Sequence, residues 1–145
     1  MEQDRENQVW QRVMGTREIT PSSNLQGLIR ESGDMAAVYR RAAEKLAGRE
    51  KQLARKLLEM EQSNTARLRG IAMLAGEKGE TLKHWEPAGG FGKQLLMKCY
   101  HRSLHMRAEY AAMCLNPEYG EVYRGLADRL GQQCGLIAEL IGRIS

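Results

Sequence analysis

Proline and cysteine each occur three times in 145 residues, and phenylalanine once. So little proline leaves long stretches in which nothing interrupts a helix. Cys99, Cys114 and Cys134 are odd in number and contain no CxxC pair, so neither a disulfide scaffold nor a zinc module is indicated. Aromatic residues make up 6% of the chain, too few for the stacking platform of a single-strand nucleic-acid binder. Mean hydropathy is −0.54, and no run approaches the roughly 18 uncharged apolar residues of a bilayer span. The opening residues, MEQDRENQVW, carry acids where a secretory signal would carry a basic region and then an apolar one. No lipidation motif is present. The expectation is a reduced, cytoplasmic protein with no membrane partner.

What charge there is has little direction. Twenty-two Lys and Arg against eighteen Asp and Glu give a net +4. The two signs alternate, as in Arg40-Arg41-Ala42-Ala43-Glu44-Lys45, which is the pattern of a solvated helix surface with i,i+4 pairs. A nucleic-acid partner is therefore not expected.

The residues in abundance are Ala, Leu, Met, Glu, Gln, Lys and Arg, the strong helix formers. Turn residues gather at TPSSN (20–24), around Gly48, in GEKGETLKHWEPAGGFG (76–92) and in NPEYG (116–120). Between them the spacing predicts helices over about 24–47, 50–75, 92–115 and 117–143, each with one mainly apolar stripe. The first stripe is Leu25, Leu28, Ser32, Met35, Tyr39, Ala42 and Leu46, with Ser23 and Gln26 as a capping box at its start. The second is Ala54, Leu57, Glu61, Asn64, Leu68, Ile71 and Ala75. The third is Met97, His101, Leu104, Ala108, Ala111 and Leu115. The fourth is Val122, Leu126, Leu130, Gln133, Ile137 and Leu140, opened by Asn116 as N-cap and Pro117 at the first helical position. Four such helices predict an all-α four-helix bundle over residues 23–145, preceded by an arm over 1–22.

Helices two and four repeat each other. Leu57, Glu61, Asn64 and Leu68 correspond to Leu126, Leu130, Gln133 and Ile137 at a constant offset of 69. Short joints around Gly48 and Asn116 make two antiparallel hairpins. The 17-residue linker at 76–92 reaches roughly 55 Å when extended. That is enough to run the length of the bundle and leave helices two and three parallel.

Four polar residues, Glu61, Asn64, His101 and Gln133, stand on stripes that a plain core would keep apolar, and Ser32 is a fifth. A buried carboxylate is costly unless paired or bound to metal. Glu61 and Asn64, three apart, share one helix face. That is the spacing at which bundle helices present a bridging carboxylate and a terminal ligand to a di-metal centre.

The segments DMAAVYRRAAEKL, LARKLLEMEQSNTARLRGIA and EYAAMCLNPEYGEVYRGLADRLGQQCGLIAELI resemble the ferritin-like superfamily, nearest its rubrerythrin-type branch, over about residues 24–143. The resemblance implies a left-handed-crossover bundle that associates in pairs. It also implies a di-iron site with one Glu from each of helices one and three and a Glu-x-x-His pair from each of helices two and four. Peroxidase or ferroxidase chemistry goes with that site. Carried across, the first-helix position falls on Ser32, with Glu31 and Asp34 beside it. Helix two supplies Glu61 but has Asn64 where the family has His. The third-helix position falls close to His101. In helix four, Leu130 and Gln133 replace Glu and His.

The residues leave three readings open. A non-enzymatic structural or binding bundle that has lost most di-iron ligands, with no cofactor, is preferred. Its competitor is a remodelled metal or redox protein holding iron or another transition metal through Glu61 and His101, with Glu31 or Asp34. The third, an adaptor for nucleic acid or an acidic protein, rests on mild positive charge alone. Asn64 and Gln133 read as structural amides, since amides are weak transition-metal ligands. Glu61 with His101 reads as a hydrogen-bonded pair before it reads as half a metal site. His101, His105 and Glu109 form an i, i+4, i+8 ladder, read as a surface stripe in preference to a metal clip. In the arm, Val9, Trp10, Val13 and Met14 make a small apolar face that must dock on the chain's own bundle, in a homodimer or on another protein. A homodimer involving the arm is the expected assembly.

Overall fold

Helix-forming composition and the scarcity of proline produce four long helices among the described residues. The computed structural model describes residues 21–77 and 92–144, with side chains from Leu25 onward. The arm over 1–20, and His84 and Trp85 in the linker, lie outside the described residues. The helices are α1 (Pro21–Lys45), α2 (Gly48–Leu74), α3 (Lys93–Ala112) and α4 (Gly120–Arg143), with one 3₁₀ turn at Met113–Leu115. Among the described residues there is no strand, and no helix is long and apolar enough to cross a membrane.

Two joints are tight. Leu46 and Ala47 separate α1 from α2, and Gly48 turns the chain at φ +61°, a left-handed value that suits glycine. At the other hairpin, Asn116 Oδ1 accepts the amides of Glu118 and Tyr119 at 2.8 and 2.7 Å. Asn116 therefore caps a turn over 117–119, and α4 begins at Gly120, three residues after the expected 117. α1 begins at Pro21, three residues before the expected 24, and the side chain of Ser23 lies outside the described residues. Gln26 donates to Glu77 at 3.0 Å.

α1 packs on α2 and α3, and α4 packs on α2 and α3. Contact order runs opposite in each pair. Gln26 meets Glu77 while Ser32 meets Glu61. Asn64 meets Arg129 and Gln133 while Arg49 meets Glu139. The core between the helices is built from Met35, Tyr39, Leu57, Leu68, Leu96, Met106, Tyr110, Leu126, Leu130 and Ile137, all buried.

The stripes expected on α1, α2 and α4 are the buried ones, apart from half-buried Leu46 and Val122 and exposed Ala75. The stripe expected on α3 is on the wrong side. Met97, Leu104 and Leu115 are 44%, 41% and 89% exposed, and His101, Ala108 and Ala111 are exposed with them. Glu109 is buried, and Leu96, Cys99, Ser103, Met106 and Tyr110 form the inward stripe. They repeat with the same three- and four-residue steps one to two positions away. Packing of α3 against α1 and α4 selects them over the outer stripe.

Candidate functional site

Glu61 is fully buried at mid-height of α2, and three helices converge on it. From α1, Ser32 Oγ donates to Glu61 Oε2 at 2.5 Å. From α4, Gln133 Nε2 donates to Glu61 Oε1 at 2.8 Å. On α2 itself, Asn64 Nδ2 donates to Gln133 Oε1 at 2.7 Å and reaches Glu61 Oε2 at 3.5 Å. Arg129 Nε on α4 donates to Asn64 Oδ1 at 2.8 Å, so an amide stands between that cation and the carboxyl. Thr65 Oγ1 donates to the Glu61 main-chain oxygen at 2.9 Å and lies 2.7 Å from Ser32 Oγ. Ser32, Glu61, Asn64 and Gln133 are all 0% exposed.

Burial pushes the Glu61 carboxyl above its ordinary value of 4.5. The hydrogen bonds from Ser32, Gln133 and Asn64 and the charge of Arg129 pull the other way.

A raised carboxyl value means that the folded state holds its proton to higher pH than the unfolded chain. The stability this group contributes is present below about 4.5 and is lost as pH rises through the folded value. Urea unfolding of wild type and Glu61→Gln from about pH 4 to about pH 8 tests this. The wild type loses stability relative to Glu61→Gln as pH rises, and a constant difference contradicts a raised value.

The structure brings Ser32, Glu61, Asn64 and Gln133 together as the stripes implied. Leu130 is a buried apolar residue. His101 is not brought to the site. It stands on the outer face of α3 with its ring edge-on to Tyr100 at 5.8 Å, while Glu61 is fully buried, so the two side chains do not pair. The cause is the rotated α3 stripe. Glu31 pairs with Arg102, and Asp34 is buried on α1. His105 meets Glu109 at 3.2 Å with its own side chain 64% exposed, and His101 completes no clip with them. Among the described residues no group of three or more His, Cys, Asp or Glu is placed to hold a metal ion.

The donor set around Glu61 is thus one carboxyl, one hydroxyl and two amides. It does not fit a di-iron centre, which needs several carboxylates and imidazoles. Amides and a hydroxyl satisfy a buried carboxyl by hydrogen bonding instead.

Sequence reasoning missed Thr65, Arg129 and Tyr110 here. Thr65 and Arg129 neighbour stripe residues without belonging to a stripe. A threonine four residues after Glu61 returning its hydroxyl to the preceding turn was the available signal for Thr65. The Tyr39 and Tyr110 hydroxyls are buried without a hydrogen-bond partner among the described residues. Burial raises both well above 10, and the Glu61 charge adds to the rise. Cys99, beside Tyr39, is pushed up to about 12 by burial, which leaves it an inert thiol.

In comparison with known proteins, the chain matches no protein-family model, no curated protein and no solved structure.

Proposed function

We propose that the chain is a ferritin-like, left-handed-crossover bundle in which a buried hydrogen-bonded network stands in place of the di-iron centre. On this reading it is a non-enzymatic structural or binding protein. The pairing of helices supports the topology. α2 and α3 each run opposite to α1 and so run alike, as the helices of a crossover bundle do. The observation that carries the functional reading is the set of partners of Glu61. Ser32, Asn64 and Gln133 satisfy its oxygens, and the position equivalent to a second carboxylate is Leu130. The competing redox reading depended on His101 joining Glu61, and no observation favours it.

The test is aerobic loading of the chelator-free protein with ferrous iron, followed by elemental analysis and optical spectroscopy. The expected result is no stoichiometric iron and no oxo-bridge absorption. Two irons per chain with that absorption would overturn the reading.

A further inference from the structure

The rotation of α3 that takes His101 away from Glu61 sets it beside His105 on the solvent side of the same helix. The two stand at i and i+4, one turn apart, so they share a face with Cβ atoms about 5–6 Å from each other. Both imidazoles line one groove, together with Gln94, Met97, Lys98 and Arg102. The His105 side chain is 64% exposed and His101 is exposed beside it, so neither ring has to be uncovered to meet a solute.

Two imidazoles one helical turn apart form a chelate for a divalent transition metal, the spacing by which helical histidine pairs take zinc. The helix sets that spacing in advance. Once one nitrogen has bound, the second therefore meets the ion at high effective concentration.

Buried Glu109 adds what a bare histidine pair lacks. Its Oε1 lies 3.2 Å from Nε2 of His105, and its own side chain is 7% exposed. A carboxylate that accepts one ring N–H fixes the imidazole's orientation, leaves the lone pair on the other nitrogen and makes that nitrogen a stronger donor. Glu109 acts on His105 from behind and is not a ligand. Two donors converge, in keeping with the lack of any three-donor group among the described residues. Two cations share the groove with the histidines. Arg102 is matched by Glu31, and exposed Lys98 has a flexible stem that lets its ammonium swing toward water.

We infer that His101 and His105 hold one divalent transition metal of the imidazole-preferring class (nickel, zinc or copper) on the outer face of α3, with Glu109 orienting His105. Water fills the remaining coordination positions, so the site stays open to a further ligand. This goes beyond the proposed function and does not depend on the network at Glu61. One ion on two exposed imidazoles is also distinct from two oxo-bridged irons in the core, and ferrous iron stands below nickel in divalent affinity.

The test is calorimetric titration of nickel(II) into the chelator-free full chain carrying His84→Ala, which removes the one other histidine. Helicity is followed by circular dichroism. The expected result is one nickel per chain. Adding His101→Ala or His105→Ala lowers the affinity about a hundredfold, because each leaves a single imidazole. Adding Glu109→Gln lowers it about tenfold at unchanged stoichiometry. Helicity is the same in every variant. Loss of nickel with His84→Ala alone overturns the inference. So does an affinity that falls only about twofold in each single-histidine variant, since independent sites add and chelating ones multiply. Nickel still bound when both His101 and His105 are alanine would belong to other side chains and overturn it too. An unchanged affinity with Glu109→Gln removes Glu109 from the site.

Discussion

Replacing Glu61 by leucine alone costs about 3 kcal/mol of stability, and replacing Glu61, Asn64 and Gln133 together by leucine recovers most of that loss. The single change fits in volume but strands donors. Gln133 Nε2 loses its 2.8 Å acceptor, and Ser32 loses its 2.5 Å one. Each buried group left without a partner costs about 1–3 kcal/mol. Ser32 softens its share by turning wholly to Thr65, 2.7 Å away. Gln133 has no such retreat. In the triple variant the amides leave with the carboxyl, and an all-apolar layer is neutral or favourable when nothing is stranded. Arg129 then loses Asn64, but it is only partly buried and turns to water. Urea unfolding of the two variants beside wild type measures both steps. A single variant as stable as wild type would mean that the network contributes nothing, and a triple variant worse than the single would mean that it is irreplaceable.

Alanine at Gly120 is expected to cost about 3 kcal/mol, the upper range for overpacking. The hairpin between α3 and α4 brings the Cys114 carbonyl inside contact distance of the space a Cβ would fill at residue 120. The obstacle is main chain, held by the bond from the Gly120 amide to the Asn116 oxygen at 2.9 Å, so it does not rotate away. Two other glycines of α4 serve as contrasts. At Gly131 a Cβ meets the Arg107 guanidinium at 3.2 Å, the mobile end of a long side chain, and the change is tolerated. At Gly135 nothing lies within 4 Å, so alanine stabilises by about 0.8 kcal/mol through helix propensity. Thermal unfolding of the three variants ranks them. Gly120→Ala as stable as Gly135→Ala would show that the hairpin relaxes freely.

Three of the four helices were legible because each has a single apolar face. On α1, α2 and α4, residues such as Tyr39, Leu57 and Ile137 repeat without rivals on the opposite side, so the period fixes the buried face. The polar members of those faces then had to converge, and Glu61 with Asn64 and Gln133 followed from the 69-residue correspondence. α3 offers two stripes of nearly equal hydrophobicity. The buried one contains Cys99 and Ser103, and the outer one Met97 and Leu104, so local pattern gives no reason to choose. Only packing against α1 and α4 decides, and that is non-local. His101 was misplaced for this reason alone. Arg129 was illegible for another: a long side chain rooted beside a stripe reaches a buried amide that its position on the helix does not face.

Asn64 and Gln133 are counterparts in the repeat, and they bond to each other. That contact sets the equivalent positions of α2 and α4 face to face. In the same correspondence the counterpart of Glu61 is Leu130, so the carboxyl has no equal on α4. A symmetric pair of carboxylates would place two negative charges in a dry interior and would demand a multivalent cation to balance them. Breaking the symmetry at one residue halves that demand. The one carboxyl that remains is raised by burial and held by Ser32, Asn64 and Gln133.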